Sequence, residues 1–323
     1  MLYKLFKFPA SIALWMFCRQ LRVNNAAYFK ANGPLLIACN HPNSFLDAII
    51  ISCLFKRPVY SLARGDAFKN KWTGMFLRSL NMLPVYRTSE GVENMEHNYT
   101  TFEDCKRIFK KNGIVLIFSE GRCINEWHFR PLKKGTARLA LSSWSDGINL
   151  TVLPTGINYQ SFSVFGKNVH LNFGNPVTQK DVDLSNSFGK SLLSFNRILQ
   201  EKMQPLIYEI EKNDIATQRK IFEVPVSPII KTLLTLPSVT GFIFHWPLNI
   251  FTKKIMALYG KQNDHYDSIV VGIVFLSYPI YLCIAALACY FILGNYWWLL
   301  IFFIFPFCGW SNLKLKKQFP SNS

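Results

Sequence analysis

Acidic residues are scarce in this sequence. It holds 19 Asp and Glu against 36 Lys and Arg, which gives a formal net charge of +17 at pH 7. An excess of this size favours anionic partners such as phosphate groups, nucleic acid or an acidic membrane surface. The basic residues flank apolar segments and do not form a stripe with interleaved aromatic residues, which argues against nucleic acid. We therefore expect membrane lipids, and no nucleic acid, as partners.

Paired cysteines are also missing. None of the eight cysteines belongs to a C-x-x-C pair, and most have apolar neighbours. This pattern is typical of buried thiols in a reducing compartment and argues against a zinc site or a disulfide scaffold. No internal repeat or low-complexity segment stands out. The sequence therefore predicts neither a metal nor a cofactor.

The N-terminal stretch lacks an A-x-A cleavage site. MLYKLFKFPASIALWMFCRQLRV has a basic start and a short apolar run, but Arg19 and Arg22 follow that run. We therefore expect residues 1–29 to form an interfacial segment associated with a membrane, and not a signal peptide.

Short apolar runs alternate with helical patterns over residues 30–180. The runs are LLIAC (35–39), VYSL (59–62), MLPVY (82–86), IVLIF (114–118) and VLPTGI (152–157), and the helical patterns are 44–54 and 94–111. Alternation of this kind predicts an α/β domain with a central, mostly parallel sheet whose strands are buried on both faces. Residues 181–223 show helical spacing, so we place the end of this domain at residue 223 and its start at residue 30.

The chain becomes more hydrophobic after Pro225. The stretch from Ser268 to Leu293 contains no charged residue and is long enough to span a hydrocarbon core of about 30 Å. The shorter apolar stretch 296–310 follows a Gly-Asn turn and carries Trp residues at both ends, as interface anchors do. Residues 261–323 are therefore predicted to be a transmembrane helical hairpin with a basic cytoplasmic tail.

A further apolar stretch, 227–251, is interrupted by three prolines and a glycine. We expect residues 224–260 to be re-entrant or interfacial and not to span the membrane. Lysines precede and follow the hairpin, at Lys253, Lys254, Lys261, Lys314, Lys316 and Lys317. The positive-inside rule then predicts an integral membrane protein with its catalytic domain on the cytoplasmic face.

The stretch CNHPNSFLDAII brings a histidine and a carboxylate to one turn. His41 follows the strand 35–39 and Asp47 opens the next helix, so both lie near the carboxyl edge of the sheet, where ligands of open α/β folds bind. A neutral imidazole can accept a hydroxyl proton, and a carboxylate can hold its tautomer. Alternatively, Ser44 and Asp47 form a box that caps the helix and His41 only completes a turn. The spacing alone leaves both readings open.

A second polar group follows the strand IVLIF. Ser119, Glu120, Gly121 and Arg122 form a glycine turn that can meet a ligand phosphate or hydroxyl, with the Arg122 guanidinium as a bidentate donor. An ordinary surface loop is the alternative. Arg87 and the pair Lys133 and Lys134 add positive charge that the fold could bring to the same pocket, although each could also be solvated surface.

Pro154 interrupts the strand pattern TVLPTGINY. Proline has no N–H for a central ladder, so its position predicts an edge, a bulge or the end of a strand.

Taken together, these blocks resemble a known family. His41 with Asp47, MLPVYR ending at Arg87, FSEGR (118–122) and VLPTGI (152–157) are similar, in order and spacing, to the four blocks of the PlsC-type glycerolipid acyltransferases. FGNPV (173–177) is similar to a trailing element of that family. The resemblance covers about residues 30–180.

The resemblance implies transfer of an acyl group from acyl-CoA or an acyl-carrier protein to a hydroxyl of glycerol 3-phosphate or its 1-acyl form, in phospholipid biosynthesis. It makes His41 the base and Asp47 its partner. Arg87, Glu120 and Gly121 would engage the phosphate and hydroxyls of the acceptor. Pro154 would lie near the acyl or acceptor site. The acyl thioester is a co-substrate.

The sequence departs from the family pattern in three places. Five residues, not four, separate His41 from Asp47. Ser119 replaces a proline and Cys123 stands where the family has arginine, so we expect Arg122 to substitute from one position earlier. Asn81 replaces a glycine. Three alternatives stay open: an acyltransferase that acts on another lysolipid, a non-catalytic lipid-binding membrane protein, and a hydrolase that activates water.

Overall fold

A computed structural model describes residues 2–86, 97–185, 187–258 and 264–319. The chain divides into two compact units. The first contains Met1–Ser11, Arg22–Asn158 and His170–Glu211, and the second contains Ile12–Leu21, Tyr159–Val169 and Lys212–Ser323. The predicted boundary at residue 223 therefore falls inside the second unit.

Seven strands form one sheet. They are β1 (Cys18–Val23), β2 (Leu35–Cys39), β3 (Val59–Arg64), β4 (Met82–Val85), β5 (Ile114–Phe118), β6 (Thr151–Tyr159) and β7 (Lys167–Phe173), in the order β1-β7-β6-β2-β5-β3-β4. The pairs β2–β5, β2–β6, β3–β4 and β3–β5 are parallel. The predicted mostly parallel α/β sheet is confirmed, and β1 and β7 are strands that sequence analysis missed.

The central strands are apolar because both of their faces are covered. All five residues of β2 are buried, as are the first four of β5. Leu36, Val115 and Val152 belong to the main hydrophobic cluster, together with buried residues of the surrounding helices. A continuous apolar run is the sequence signature of such a strand, which is why LLIAC and IVLIF were predictable.

Ten α-helices accompany the sheet in the described part of the chain. They are α1 (Leu2–Phe17), α2 (Phe45–Leu54), α3 (Lys71–Ser79), α4 (His97–Lys110), α5 (Lys134–Ser145), α6 (Phe188–Met203), α7 (Ile215–Phe222), α8 (Pro228–Leu258), α9 (Tyr266–Leu293) and α10 (Ile301–Leu315). α2 directly follows β2 and α5 follows the loop after β5, so each crossover returns the chain to a parallel strand.

The N-terminal segment differs from its prediction. α1 carries strongly exposed apolar side chains, with Leu5 and Phe8 at 68% and 73% exposure, as an interfacial helix would. Residues 18–23, however, form β1 of the sheet. The predicted segment 1–29 therefore contains a strand of the sheet as well as α1, and its association with a membrane stays a prediction.

Three helices in the second unit are long and apolar enough to cross a membrane: Pro228–Leu258, Tyr266–Leu293 and Tyr296–Leu315, the last including a 3₁₀ turn before α10. The predicted hairpin corresponds to α9 and α10, with Gly294 in the left-handed conformation at the turn between them. α8 runs through Pro237 and Pro247 as one helix, and a re-entrant or interfacial position of residues 224–260 stays a prediction.

α8 is nevertheless bent. Its middle packs on α10, where the Phe244 and Phe305 rings stack at 5.1 Å. Just before α8, Val224 pairs through its N–H and C=O with the Gln318 side chain, beyond the end of α10. Near the other end of α8, Lys253 helps to lower the pKa of Lys316, after the larger effects of burial and Arg19. A straight helix of 31 residues would separate its ends by about 45 Å. Both ends of α8 therefore lie toward the C-terminal end of α10, and prolines inside a helix are a common cause of such bending.

Candidate active site

His41 and Asp47 meet at the carboxyl edge of β2. His41 lies two residues after the end of this strand, and Asp47 lies in the first turn of α2. The His41 Nδ1 and Asp47 Oδ2 atoms are 2.8 Å apart. The Asp47 side chain is completely buried, whereas 16% of the His41 side chain stays exposed. The pair therefore has one end inside the fold and one end that a substrate can reach.

The contacts of this pair fix the protonation pattern of the imidazole. A carboxylate can only accept, so His41 Nδ1–H donates to Asp47 and the lone pair lies on Nε2. The Asn43 N–H also donates to the same carboxylate oxygen, at 2.8 Å. The imidazole stacks on Phe118 with the ring centroids 3.8 Å apart and an angle of 12° between the planes. These contacts hold the ring in the orientation that a general base requires.

The capping alternative accounts for less of this geometry. Ser44 occupies the N-cap position of α2, but its side chain makes no capping hydrogen bond to the helix. Asp47 directs its carboxylate to His41 and to the turn. Ser44, between His41 and Asp47, has a φ of 53°, which is unusual for a residue with a side chain. The Ser44 N–H donates to the Sγ atom of Cys123, the residue that stands where the family has arginine, at 3.0 Å.

Glu120 comes to the same edge because β5 is the neighbour of β2. Cys39 pairs with Phe118 at the ends of the two strands, and the Ser119 N–H donates to the Cys39 carbonyl oxygen at 2.9 Å. The Glu120 side chain is almost completely buried and accepts a hydrogen bond from the His41 N–H at 3.1 Å. Burial raises the pKa of Glu120, and the nearby Arg130 counteracts that rise.

Arg130 is a site residue that sequence analysis missed. Its Nη2 donates to Glu120 Oε2 at 2.7 Å and to the Arg122 carbonyl oxygen at 2.7 Å, and its backbone N–H donates to Glu120 Oε1 at 3.2 Å. Its Nε lies 3.2 Å from Glu126 Oε1. The only available signal was an arginine directly before Pro131, ten positions after Glu120, and that spacing has no meaning until the loop is closed.

Arg122, Gly121 and Lys133 are the other residues of this loop that the sequence predicted for the site. Arg122 is exposed, and its carbonyl group, not its guanidinium, contacts Arg130. Gly121 has a φ of +75°, and a Cβ there would lie 2.9 Å from the Lys133 Cγ atom. The Lys133 N–H donates to the Ser119 carbonyl oxygen at 2.8 Å, while the residue itself is exposed. Arg87 lies outside the described residues.

Pro154 lies in the interior of the sheet, not at an edge. β6 runs between β7 and β2, and Pro154 pairs with Ala38 of β2. The Pro154 carbonyl oxygen accepts from the Gly174 N–H at 2.9 Å, just beyond the end of β7 at Phe173. The expectation of an edge or of the end of β6 is therefore wrong for Pro154. The missing N–H is tolerated because it is the neighbouring strand that ends at this point.

Asn40, the residue before His41, is held by two hydrogen bonds to Ile157 of β6. Its side-chain amide donates to the Ile157 carbonyl oxygen at 3.0 Å, and its side-chain oxygen accepts from the Ile157 N–H at 2.8 Å. The chain before His41 is therefore tied to β6, and His41 itself is tied to Glu120 after β5. Among the described residues, no group of three or more His, Cys, Asp or Glu side chains could hold a metal ion. The His41 and Asp47 pair is suited to acid–base chemistry.

Comparisons with known proteins agree with this geometry. A model of the family called Acyltransferase matches residues 20–158. The chain is 27% identical over 121 residues to the 1-acyl-sn-glycerol-3-phosphate acyltransferase of Bacillus subtilis (strain 168), which covers 37% of this chain and 56% of that relative. The match therefore spans little more than half the length of the relative.

Among solved structures, the chain is similar to the 1-acyl-sn-glycerophosphate (LPA) acyltransferase, PlsC, from Thermotoga maritima. The TM-score is 0.45 and the identity is 16%, over 63% of this chain and 78% of that one. Residues 20–158 contain the His41 and Asp47 pair and the Glu120 loop. The family model and the curated relative therefore both match the part of the chain that carries these residues, and the chain is similar there to acyltransferases.

Proposed function

We propose that this protein is a membrane-bound O-acyltransferase. It moves a fatty acyl group from acyl-CoA or an acyl-carrier protein to a hydroxyl of glycerol 3-phosphate or 1-acyl-glycerol 3-phosphate, in phospholipid biosynthesis. The observation that carries the proposal is the buried Asp47 carboxylate, 2.8 Å from the Nδ1 atom of a partly exposed His41. The match of residues 20–158 to the Acyltransferase family model supports the same reaction class.

The reaction follows from the tautomer of His41. The lone pair on Nε2 accepts the proton of the acceptor hydroxyl, and the resulting oxygen nucleophile attacks the carbonyl carbon of the thioester. The new C–O bond forms, the C–S bond breaks, and the departing thiolate takes the proton back from the imidazolium. Asp47 stabilises the positive charge that the ring carries between these two proton transfers. No covalent acyl-enzyme is required.

Basic side chains around the Glu120 loop suit a phosphorylated acceptor. Arg122 and Lys133 are both exposed, so their charges are available to a phosphate group. Arg87 follows β4 in sequence and is kept as a proposed third contact. Gly121 lets the chain turn beside Lys133, and Pro154 is proposed to lie near the acyl chain or the acceptor.

The apolar helices of the second unit support the membrane part of the proposal. α9 and α10 form a hairpin, and the bend of α8 suits a re-entrant helix, as the sequence predicted. Lys253, Lys254, Lys314, Lys316 and Lys317 would then all lie on one side of the bilayer. By the positive-inside rule this is the cytoplasmic side, to which we also assign the catalytic domain.

A panel of acceptors tests the function directly. Membranes that contain the full chain are supplied with acyl-CoA or an acyl-carrier thioester, and with glycerol 3-phosphate, its 1-acyl form or other lysolipids. Thiol release and mass spectrometry of the lipid products are measured. An acylated glycerol phosphate that disappears in the His41→Ala variant supports the proposal. Free fatty acid without an acceptor would indicate a hydrolase, and lysolipid binding without thiol release would indicate a non-catalytic protein.

A further inference from the structure

Arg130 lies at the centre of a closed loop that reaches the catalytic histidine. The loop starts at Glu120, two residues after β5 ends at Phe118, and it ends at Arg130, before α5 begins at Lys134. Only 15% of the Arg130 side chain and 2% of the Glu120 side chain are exposed. Two contacts join these residues, one from the guanidinium and one from the Arg130 backbone N–H. The third contact, to the Arg122 carbonyl oxygen, closes the loop on itself.

Glu120 transmits this constraint to His41. The same Glu120 Oε2 atom accepts from the Arg130 Nη2 at 2.7 Å and from the His41 backbone N–H at 3.1 Å. Asn40 holds the preceding residue to β6 through two further hydrogen bonds. The main chain at His41 is therefore fixed from both neighbouring strands. A base must be held within a fraction of an ångström of its reactive position, since a misplacement of about 1 Å can cost about a hundredfold in rate.

Binding of a substrate anion is the other role that a buried arginine could have, and the local charges oppose it. Arg130 faces two carboxylates, Glu120 at 2.7 Å and Glu126 at 3.2 Å. The three groups together carry a net charge of −1 when both carboxylates are ionised. A phosphate dianion brought to this cluster would meet more repulsion than attraction. Arg122 and Lys133 are exposed cations and remain the better candidates for the phosphate.

We propose that Arg130 is a positioning residue of the acyltransferase site. It orients the buried Glu120, so that Glu120 holds the His41 backbone, and it makes no contact with the phosphate of the acceptor. The assignment rests on the proposed acyl transfer for its kinetic consequences, but the coupling between Arg130 and Glu120 is a property of the fold alone.

The experiment uses the full chain in membranes and compares Arg130→Gln with Arg197→Gln as the matched control. Arg197 is strongly exposed and its contact is a distant pair with Glu201 on the same helix. We expect Arg130→Gln to lower kcat about a hundredfold and to leave the KM for the acceptor within about threefold. Arg197→Gln should leave both parameters unchanged. A raised acceptor KM with an unchanged kcat in Arg130→Gln would overturn the proposal in favour of anion binding.

The pH profile separates positioning from a general loss of structure. Without the guanidinium, the pKa of the buried Glu120 rises further, so the acidic limb of the kcat profile should move to higher pH in Arg130→Gln. In the double variant Glu120→Gln/Arg130→Gln the carboxylate is absent, and that shift should vanish. The Arg130→Lys variant keeps the charge but loses the forked contact, and it should recover part of kcat. An unshifted acidic limb in Arg130→Gln would contradict the proposed role.

Thermal unfolding of the same variants distinguishes a failure of this proposal from a failure of the proposed function. The double variant should lose less in Tm than the sum of the two single losses, because either substitution alone already breaks the pair. If the losses are sub-additive but the protein transfers no acyl group, the coupling between Arg130 and Glu120 stands and the proposed function is rejected. Additive losses would reject the coupling between Arg130 and Glu120, whatever the activity.

Discussion

The replacement Asp47→Asn separates the catalytic and capping roles of this carboxylate. Asparagine keeps the size of the side chain and can still accept from the Asn43 N–H, but it removes the charge beside His41. With the 2.8 Å contact between Nδ1 and Oδ2, the centres of the imidazolium and carboxylate charges lie about 4 Å apart. At an effective dielectric constant of about 20, the lost attraction is about 4 kcal/mol.

This energy acts on the rate because the imidazolium exists only during the reaction. About 4 kcal/mol corresponds to a decrease in kcat of about a thousandfold, with little change in the KM of either substrate. Thiol release from acyl-CoA, confirmed by mass spectrometry of the lipid product, measures the change. Asp66→Asn is the matched control, since Asp66 is a half-exposed carboxylate that pairs with Arg64.

The stability of Asp47→Asn tests the capping role of Asp47 at the start of α2. If Asp47 only stabilises the start of α2, its replacement costs on the order of 1 kcal/mol of unfolding free energy and leaves turnover intact. Turnover within tenfold of the wild-type value, in a variant with a lowered Tm, would refute the assignment of Asp47 as the partner of the base.

Three further predictions concern other parts of the chain. His41→Ala should reduce acyl transfer by several orders of magnitude without loss of expression, as measured by thiol release from equal amounts of protein. Burial, with a smaller effect of Arg22, lowers the pKa of His170 to about 4. Because the folded state favours the neutral ring, the free energy of unfolding should decrease as the pH falls from about 6.5 toward 4, by up to about 3 kcal/mol. Thermal unfolding at a series of pH values should show this loss in the wild type and a flatter curve in His170→Asn. In α8, Gly241→Ala should lower Tm, because its Cβ would lie 2.1 Å from a carbonyl oxygen of α10, whereas Gly272→Ala meets no atom within 4 Å and should not.

Each of these predictions has an outcome that contradicts it. Wild-type turnover in His41→Ala would remove the base from the mechanism. Parallel pH curves for the wild type and His170→Asn would show that another group causes the acid loss. Equal melting temperatures for the two glycine variants would mean that α8 and α10 do not pack as closely as described.

The sheet and the catalytic pair were predictable because their signals are local. A parallel strand that is covered on both faces must be apolar throughout, so LLIAC and IVLIF were readable as strands. The carboxyl ends of parallel strands lie at one edge of the sheet, so the sequence alone predicts that His41 and the Glu120 loop lie at that edge. The hairpin of α9 and α10 was readable for a similar reason, since the thickness of a bilayer sets the length of an apolar segment.

Strands with polar residues and a helix with prolines were predicted less well. β1 and β7 contain polar residues such as Arg19 and Asn168, and their pairing depends on partners far away in the sequence. The prolines of the stretch 227–251 indicated a re-entrant or interfacial segment, but they did not show that one helix continues through them. Pro154 was placed at an edge or strand end, because the sequence does not show that β7 stops beside it.

The sequence by itself indicated the reaction class that we propose, because the chemistry of a base and its carboxylate depends on residue types and on a short spacing that local structure preserves. Only the tertiary structure decided how the base is held. Glu120 accepts from the backbone of His41, and Arg130, not Arg122, pairs with that carboxylate. Those contacts join residues 10 and 79 positions apart through a closed loop and a neighbouring strand. The physical reason is that a buried carboxylate takes whichever cation the fold brings within hydrogen-bond distance, and that distance is set by packing, not by order along the chain.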